Sequence, residues 1–216
     1  MIQTQRKREG LNSTMAFSIR PYEAHDLNAV YTVCLKTGDS GDDATSLYSD
    51  PDILGHLYAG PYVTLEPELA FVLADEEGVA GYILGAFDTE RFNERYKLEW
   101  LPPLQAKLPG PMGEQSNWSA TERLYHEIHH PDLSDPVDRT RYPSHLHIDL
   151  LPRAQGQGWG RKLINTLLGE LRRLGSAGVY LGLGRSNQRA YLFYKKVGFN
   201  VLLEEPGEVY MGQMLR

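Results

Sequence analysis

Cysteine is almost absent. Cys34 stands alone in 216 residues, so no intrachain disulfide can form and a reducing cytoplasm suits the chain. Positive charge is also short. The 22 Lys and Arg face 28 Asp and Glu, and a net charge of −6 argues against general nucleic-acid binding. The one tight basic run, Arg6-Lys7-Arg8, precedes no apolar core, so a signal peptide is not expected and residues 1–15 read as a flexible tail. No apolar run approaches the roughly 20 residues that cross a bilayer, so no membrane partner is expected. A zinc-type cysteine pair is missing too. His126, Glu127, His129 and His130 cluster, but their spacing is not H-E-x-x-H, and an exposed helix face rather than a metal site is expected.

Two nucleotide motifs are missing from the most ordered stretch, residues 146–174. A Walker loop needs Ser or Thr after the lysine, and none follows Lys162. A Rossmann fingerprint needs a third glycine where Arg161 stands, and an acidic residue about 20 positions on, where 176–180 has none. What is present is strand, glycine loop and helix. Leu146, Ile148 and Leu150 alternate with His145, His147 and Asp149. Gly156, Gly158 and Gly160 follow, and then Leu163, Ile164, Leu167, Leu168, Leu171 and Leu174 recur at helical spacing. Glycines let free N–H groups at a helix start converge on an anion at close range, and Arg161 and Lys162 would add charge.

Arg153-x-x-Gly156-x-Gly158 resembles the acetyl-CoA pyrophosphate loop of the GNAT family of N-acetyltransferases. A second run, from Asn187 through Tyr191 and Tyr194 to Gly198-Phe199, is similar to that family's downstream signature. The hairpin-like FVLADEEGVAGYILGAFD, followed by Phe92 and Trp100-Leu-Pro, further resembles the acetyltransferase-like C-terminal domain of eukaryotic O-GlcNAc hydrolases and its stand-alone bacterial relatives. The resemblance implies a mixed α/β fold: a twisted mixed sheet of about seven strands, splayed between strands four and five and flanked by helices. It implies one domain over residues 16–216, with a Pro-rich insertion at about 99–143. Acetyl-CoA is the implied co-substrate, held by Ile148, Leu150, Gln155, Gly156, Gln157, Gly158, Trp159, Gly160, Arg161, Asn187 and Tyr191. The implied activity is transfer of the acetyl group to a primary amine of a small molecule or peptide. The alternative is a weak or inactive acyl-CoA-binding module, and a homodimer is compatible with either.

Attack on a thioester needs a neutral amine, so a general base is required. Asp149, near the end of the fourth strand on the face opposite Leu150, is the first candidate, with His147 and Glu99 in reserve. By the resemblance, Tyr194 would donate the proton to the leaving sulfur. Upstream, 17–20 reads as a strand, 22–35 as a helix and 53–58 as a short helix. The polar segment 37–52 reads as a mobile loop whose acidity has two readings: a solvated connector, the default, or a surface on which Asp39, Asp42 and Asp43 select a cationic acceptor. Residues 99–143, rich in proline, carry one helical island, 119–130.

Overall fold

The computed structural model describes residues 17–215, so the expected tail and its basic run lie outside the described residues. The chain runs β1 (Ser18–Pro21), α1 (Leu27–Thr37), α2 (Ile53–Tyr58), α3 (Gly60–Leu65), β2 (Ala70–Asp75) and β3 (Gly78–Ala86). It continues with α4 (Thr89–Arg95), α5 (Leu101–Lys107), α6 (Ala120–His129), β4 (Ser144–Leu150) and α7 (Trp159–Arg173). It ends with β5 (Gly178–Gly184), α8 (Gln188–Lys196), β6 (Asn200–Glu204) and β7 (Glu208–Met214). The strands form one mixed sheet in the order β1-β2-β3-β4-β5-β7-β6.

Alternation along β3 divides the core into two layers. Tyr82, Leu84 and Ala86 face the helices α1 to α6, while Ile83 faces α7. The stripe expected from helical spacing drives α7 onto that second face. Leu163, Ile164, Leu167, Leu168 and Leu171 are buried there, each contributing roughly 1.5–3 kcal/mol of transfer free energy, whereas Leu174, expected in the same stripe, lies just past the helix end and is exposed.

The decisive feature for the site lies between β4 and β5. These parallel strands pair only at Ser144↔Val179 and His145↔Tyr180 and then diverge. The closed end is pinned by Ser144, whose Oγ lies 2.7 Å from Ser176 Oγ and 2.5 Å from the Phe87 carbonyl oxygen. Beyond it the β5-facing edge of β4 is unpaired, leaving an open wedge.

Three expectations need correction. The first helix begins at Leu27 rather than 22, because Tyr22 still donates its N–H to the Ala70 carbonyl and a 3₁₀ turn intervenes. Residues 99–143 hold α5 as well as the helical island. Pro102 and Pro103 directly follow a π-helical turn over Tyr96–Trp100 that runs on from α4, and this wider turn takes up the prolines' missing N–H groups. Segment 37–52 is anchored rather than loosely attached. Ala44 is fully buried, Thr121 Oγ1 accepts the Ser49 N–H at 2.9 Å, and Tyr125 donates to Asp50 at 3.0 Å.

Candidate active site

The glycine loop leaves β4 through a 3₁₀ turn at Pro152–Ala154 and enters α7 at Gly158. Gly156 and Gly158 have φ of 74° and 85°, values that favour glycine, and a Cβ at either would meet no atom within 4 Å. Space at these positions therefore opens outward, away from protein. No side chain caps α7, so the N–H groups of its first turn remain available. The residues present thus fit a pyrophosphate on backbone donors.

A cleft of about 740 Å³ runs from this loop into the wedge. Gln155, Gly156, Gly158, Gly160 and Arg161 line its outer end, and Ile148, Leu150 and Asn187 line the path inward. Arg189 and Lys196, which sequence reasoning missed, add two further cations. Arg189 also spans the mouth, donating to Gln155 Oε1 at 3.1 Å and to the Gly41 carbonyl at 3.3 Å. The motif's arginine, Arg153, is elsewhere, ion-paired with Asp75.

Several other expected residues turn their side chains out of the cleft. Trp159 turns away to pack edge-on against Phe17, with Lys162 Nζ 3.7 Å above its ring. Gln157 donates to the Arg153 carbonyl, and Tyr191 packs into the α7 side of the core. Glu99 lines no part of the cleft either; it pairs with Arg95 at 2.8 Å on the outer surface. Asn187 caps α8 by accepting the Ala190 N–H at 3.0 Å, while its side chain still borders the cleft.

At the middle of the cleft, Asp149 and Tyr194 share one space. Asp149 accepts a 2.6 Å hydrogen bond from the fully buried Tyr82. Burial pushes its carboxyl up to about 7, the Tyr82 and Thr37 hydroxyls pulling the other way. Burial and, secondarily, the charge of Asp149 hold the Tyr194 phenol well above its ordinary range, so it stays protonated. Cys34 lines the same floor, and burial raises its thiol to about 12, which makes it an inert core residue.

A second chamber, about 510 Å³, opens beyond a throat formed by Tyr58, Leu146, His147, Leu181 and Gly182, which border both spaces. Burial lowers His145 to about 3 and His147 to about 4, so both are neutral at pH 7. The histidines at the end of α6 do different things: His129 Nε2 lies 2.8 Å from the Leu108 carbonyl oxygen, and His126 packs at a tilt against His130, just past the helix. The acidic segment with Asp39, Asp42 and Asp43 borders the loop end of the first cleft and contributes nothing to the chamber's lining.

A profile of the Acetyltransferase (GNAT) family matches residues 123–199. The solved structure of SsHAT is 38% identical, with a TM-score of 0.86, and the alignment covers 93% of this chain and 99% of that one. The chain belongs to the GNAT acetyltransferase family. Protein O-GlcNAcase of Rattus norvegicus is 28% identical over 187 residues, 86% of this chain. This GNAT chain spans only 20% of that protein's length. The structure of yncA from Salmonella typhimurium, determined with its cofactor acetyl-CoA, shares the fold at 16% identity and a TM-score of 0.52. Acyl transfer is the chemistry of this family, and acetyl-CoA is the donor it uses. The mixed seven-stranded sheet with its β4–β5 splay is the GNAT fold. Among the described residues no helix is long and apolar enough to cross a membrane.

Proposed function

We propose that the chain transfers the acetyl group of acetyl-CoA to a primary amine of a small molecule or peptide by direct attack on the thioester. One observation carries this reading: a single cleft joins an open glycine loop to a space shared by Asp149 and Tyr194. Residues 16–216 act as one acetyltransferase domain in this reading, with residues 99–143 walling the acceptor side. A cytoplasmic setting, with Cys34 reduced, belongs to the same reading.

Acetyl-CoA, when bound, supplies an activated acyl group. The N–H groups at the start of α7 would hold its pyrophosphate, with Arg161, Arg189 and Lys196 offsetting the charge. The unpaired edge of β4 at Ile148 and Leu150 offers backbone partners to the pantetheine arm. Asp149, at about 7, takes the proton of the attacking amine. His147, at about 4, is a roughly thousandfold weaker base, which favours Asp149. Tyr194, protonated throughout the working range, delivers a proton to the departing sulfur.

Incubating the protein with acetyl-CoA and a panel of amines, with free thiol as the readout, tests the reading. Amine-dependent thiol release is expected. Thermal stabilisation by CoA with no release from any amine would replace the enzyme by an acyl-CoA-binding module. Absence of stabilisation at high excess would remove the cofactor assignment itself.

A further inference from the structure

The chamber beyond the throat has a chemistry that transfer to a plain amine leaves unexplained. Its lining includes four carboxylates, Glu127, Asp132, Asp135 and Glu208, and no lysine or arginine. Two of these are spoken for within the protein. Asp135 is ion-paired with Arg139 at 2.5 Å, and Asp132 accepts from Ser134 at 2.5 Å. Glu208 accepts only the Tyr210 hydroxyl at 2.8 Å, and Glu127 has no side-chain hydrogen bond among the described residues.

An independent sign of a ligand comes from two tyrosines on the same lining. Tyr62 and Tyr96 are 5% and 6% exposed, yet neither hydroxyl has a hydrogen-bond partner among the described residues. Both side chains are more than nine-tenths buried, but their hydroxyls are not among the fully buried unpartnered atoms, so each opens onto the chamber rather than into packed protein. With the two central histidines neutral, nothing cationic on the throat repels a positive guest.

The attacking nitrogen must be neutral, so it gains little from carboxylates. Their charge is matched only by a second, permanently cationic group on the acceptor, a guest that aromatic faces also favour. Resting on the transfer reading above, we propose that the acceptor is a small aliphatic diamine or polyamine. One amine enters the throat uncharged, while a distal ammonium lies between Glu127 and Glu208 and donates to Tyr62 and Tyr96. A chamber of about 510 Å³ suits such a chain better than a folded or extended protein segment. In the transfer, the C–S bond breaks as the amide C–N bond forms. The amine's proton passes to Asp149, and the sulfur takes the proton of Tyr194.

Thiol release with cadaverine, spermidine and the isosteric monoamine hexylamine tests the proposal. The diamines are expected to show KM values at least about tenfold below hexylamine's. Glu127→Gln and Glu208→Gln should each erase most of that preference while leaving the hexylamine KM unchanged. Equal KM values for diamine and monoamine would overturn the proposal, as would a lysine-bearing peptide that outcompetes both diamines. If no amine is turned over, calorimetry with spermidine separates the two readings. Binding that weakens about tenfold in Glu127→Gln upholds the chamber assignment while the transfer reading fails. No binding to the wild-type protein overturns the chamber assignment.

Discussion

The two ends of the cleft are electrostatic opposites. The loop end has Arg161, Arg189 and Lys196 around uncapped N–H groups, and the chamber end has four carboxylates and no lysine or arginine. They also differ in how the chain builds them. The loop end comes mainly from residues 146–197, in which strand, turn and helix follow one another, with Ser40 and Gly41 at its border. The chamber takes walls from α2, α3, α4, α6, β4, β5 and β7, elements far apart in the chain. Backbone donors can hold a polyanion wherever glycines permit the turn, so that end can be local. Recognition by side chains needs convergence from several directions, and only packing supplies it.

The sharpest way to break the contrast is at the point where the two ends meet. Tyr194→Phe removes a hydroxyl and little packing, so CoA affinity should hold while kcat falls about 10²–10⁴-fold. Full activity would make Tyr194 a core aromatic. At the loop end, Gly158→Glu adds a Cβ at a φ of 85° and a like charge beside the anion site. CoA binding should weaken at least about 100-fold by calorimetry, roughly 3 kcal/mol. An unchanged affinity would detach the pyrophosphate from this loop.

Asp149 links function to stability with a defined sign. Its carboxyl is raised from 3.8 to about 7, so the folded state binds more protons than the unfolded state between those values. Its contribution to stability is therefore lost as pH rises from about 4 to 7. Asp149→Asn should raise the Tm at pH 8 while abolishing the rise in kcat/KM with pH through 7. The shift corresponds to roughly 4 kcal/mol, an upper bound because the group borders solvent in the cleft. A lower Tm at pH 8 would mean the carboxylate is needed in its charged form for packing.

The smallest effect is expected from the acidic segment. Since Asp39, Asp42 and Asp43 line neither the cleft nor the chamber, replacing all three by Asn should leave the acceptor KM within about twofold at low salt. A large rise would bring that segment back into acceptor selection.

Much of the loop end was legible because its signals are local. Gly156 and Gly158 mark the turn, and the leucine spacing marks α7 and its buried face. What the motif leaves open there is the facing of side chains. Gln157 and Trp159 lie between cleft residues in sequence, but the turn into a helix rotates them outward, and Trp159 finds Phe17, about 140 positions earlier. Arg189 and Lys196 went unread because a cation on a helix normally reads as a solvated face. Their place follows from how α8 is set against the wedge.

The sequence by itself determined the order of elements, the anion-binding turn and the buried stripe of α7, since these depend on residues within a few turns of one another. Only the tertiary structure decided which carboxylate is buried to about 7, which tyrosine hydroxyls are left without partners, and which end of the cleft is acidic. Those properties arise from desolvation and proximity, and both are set by residues that meet only when the sheet and its two helical layers close around them.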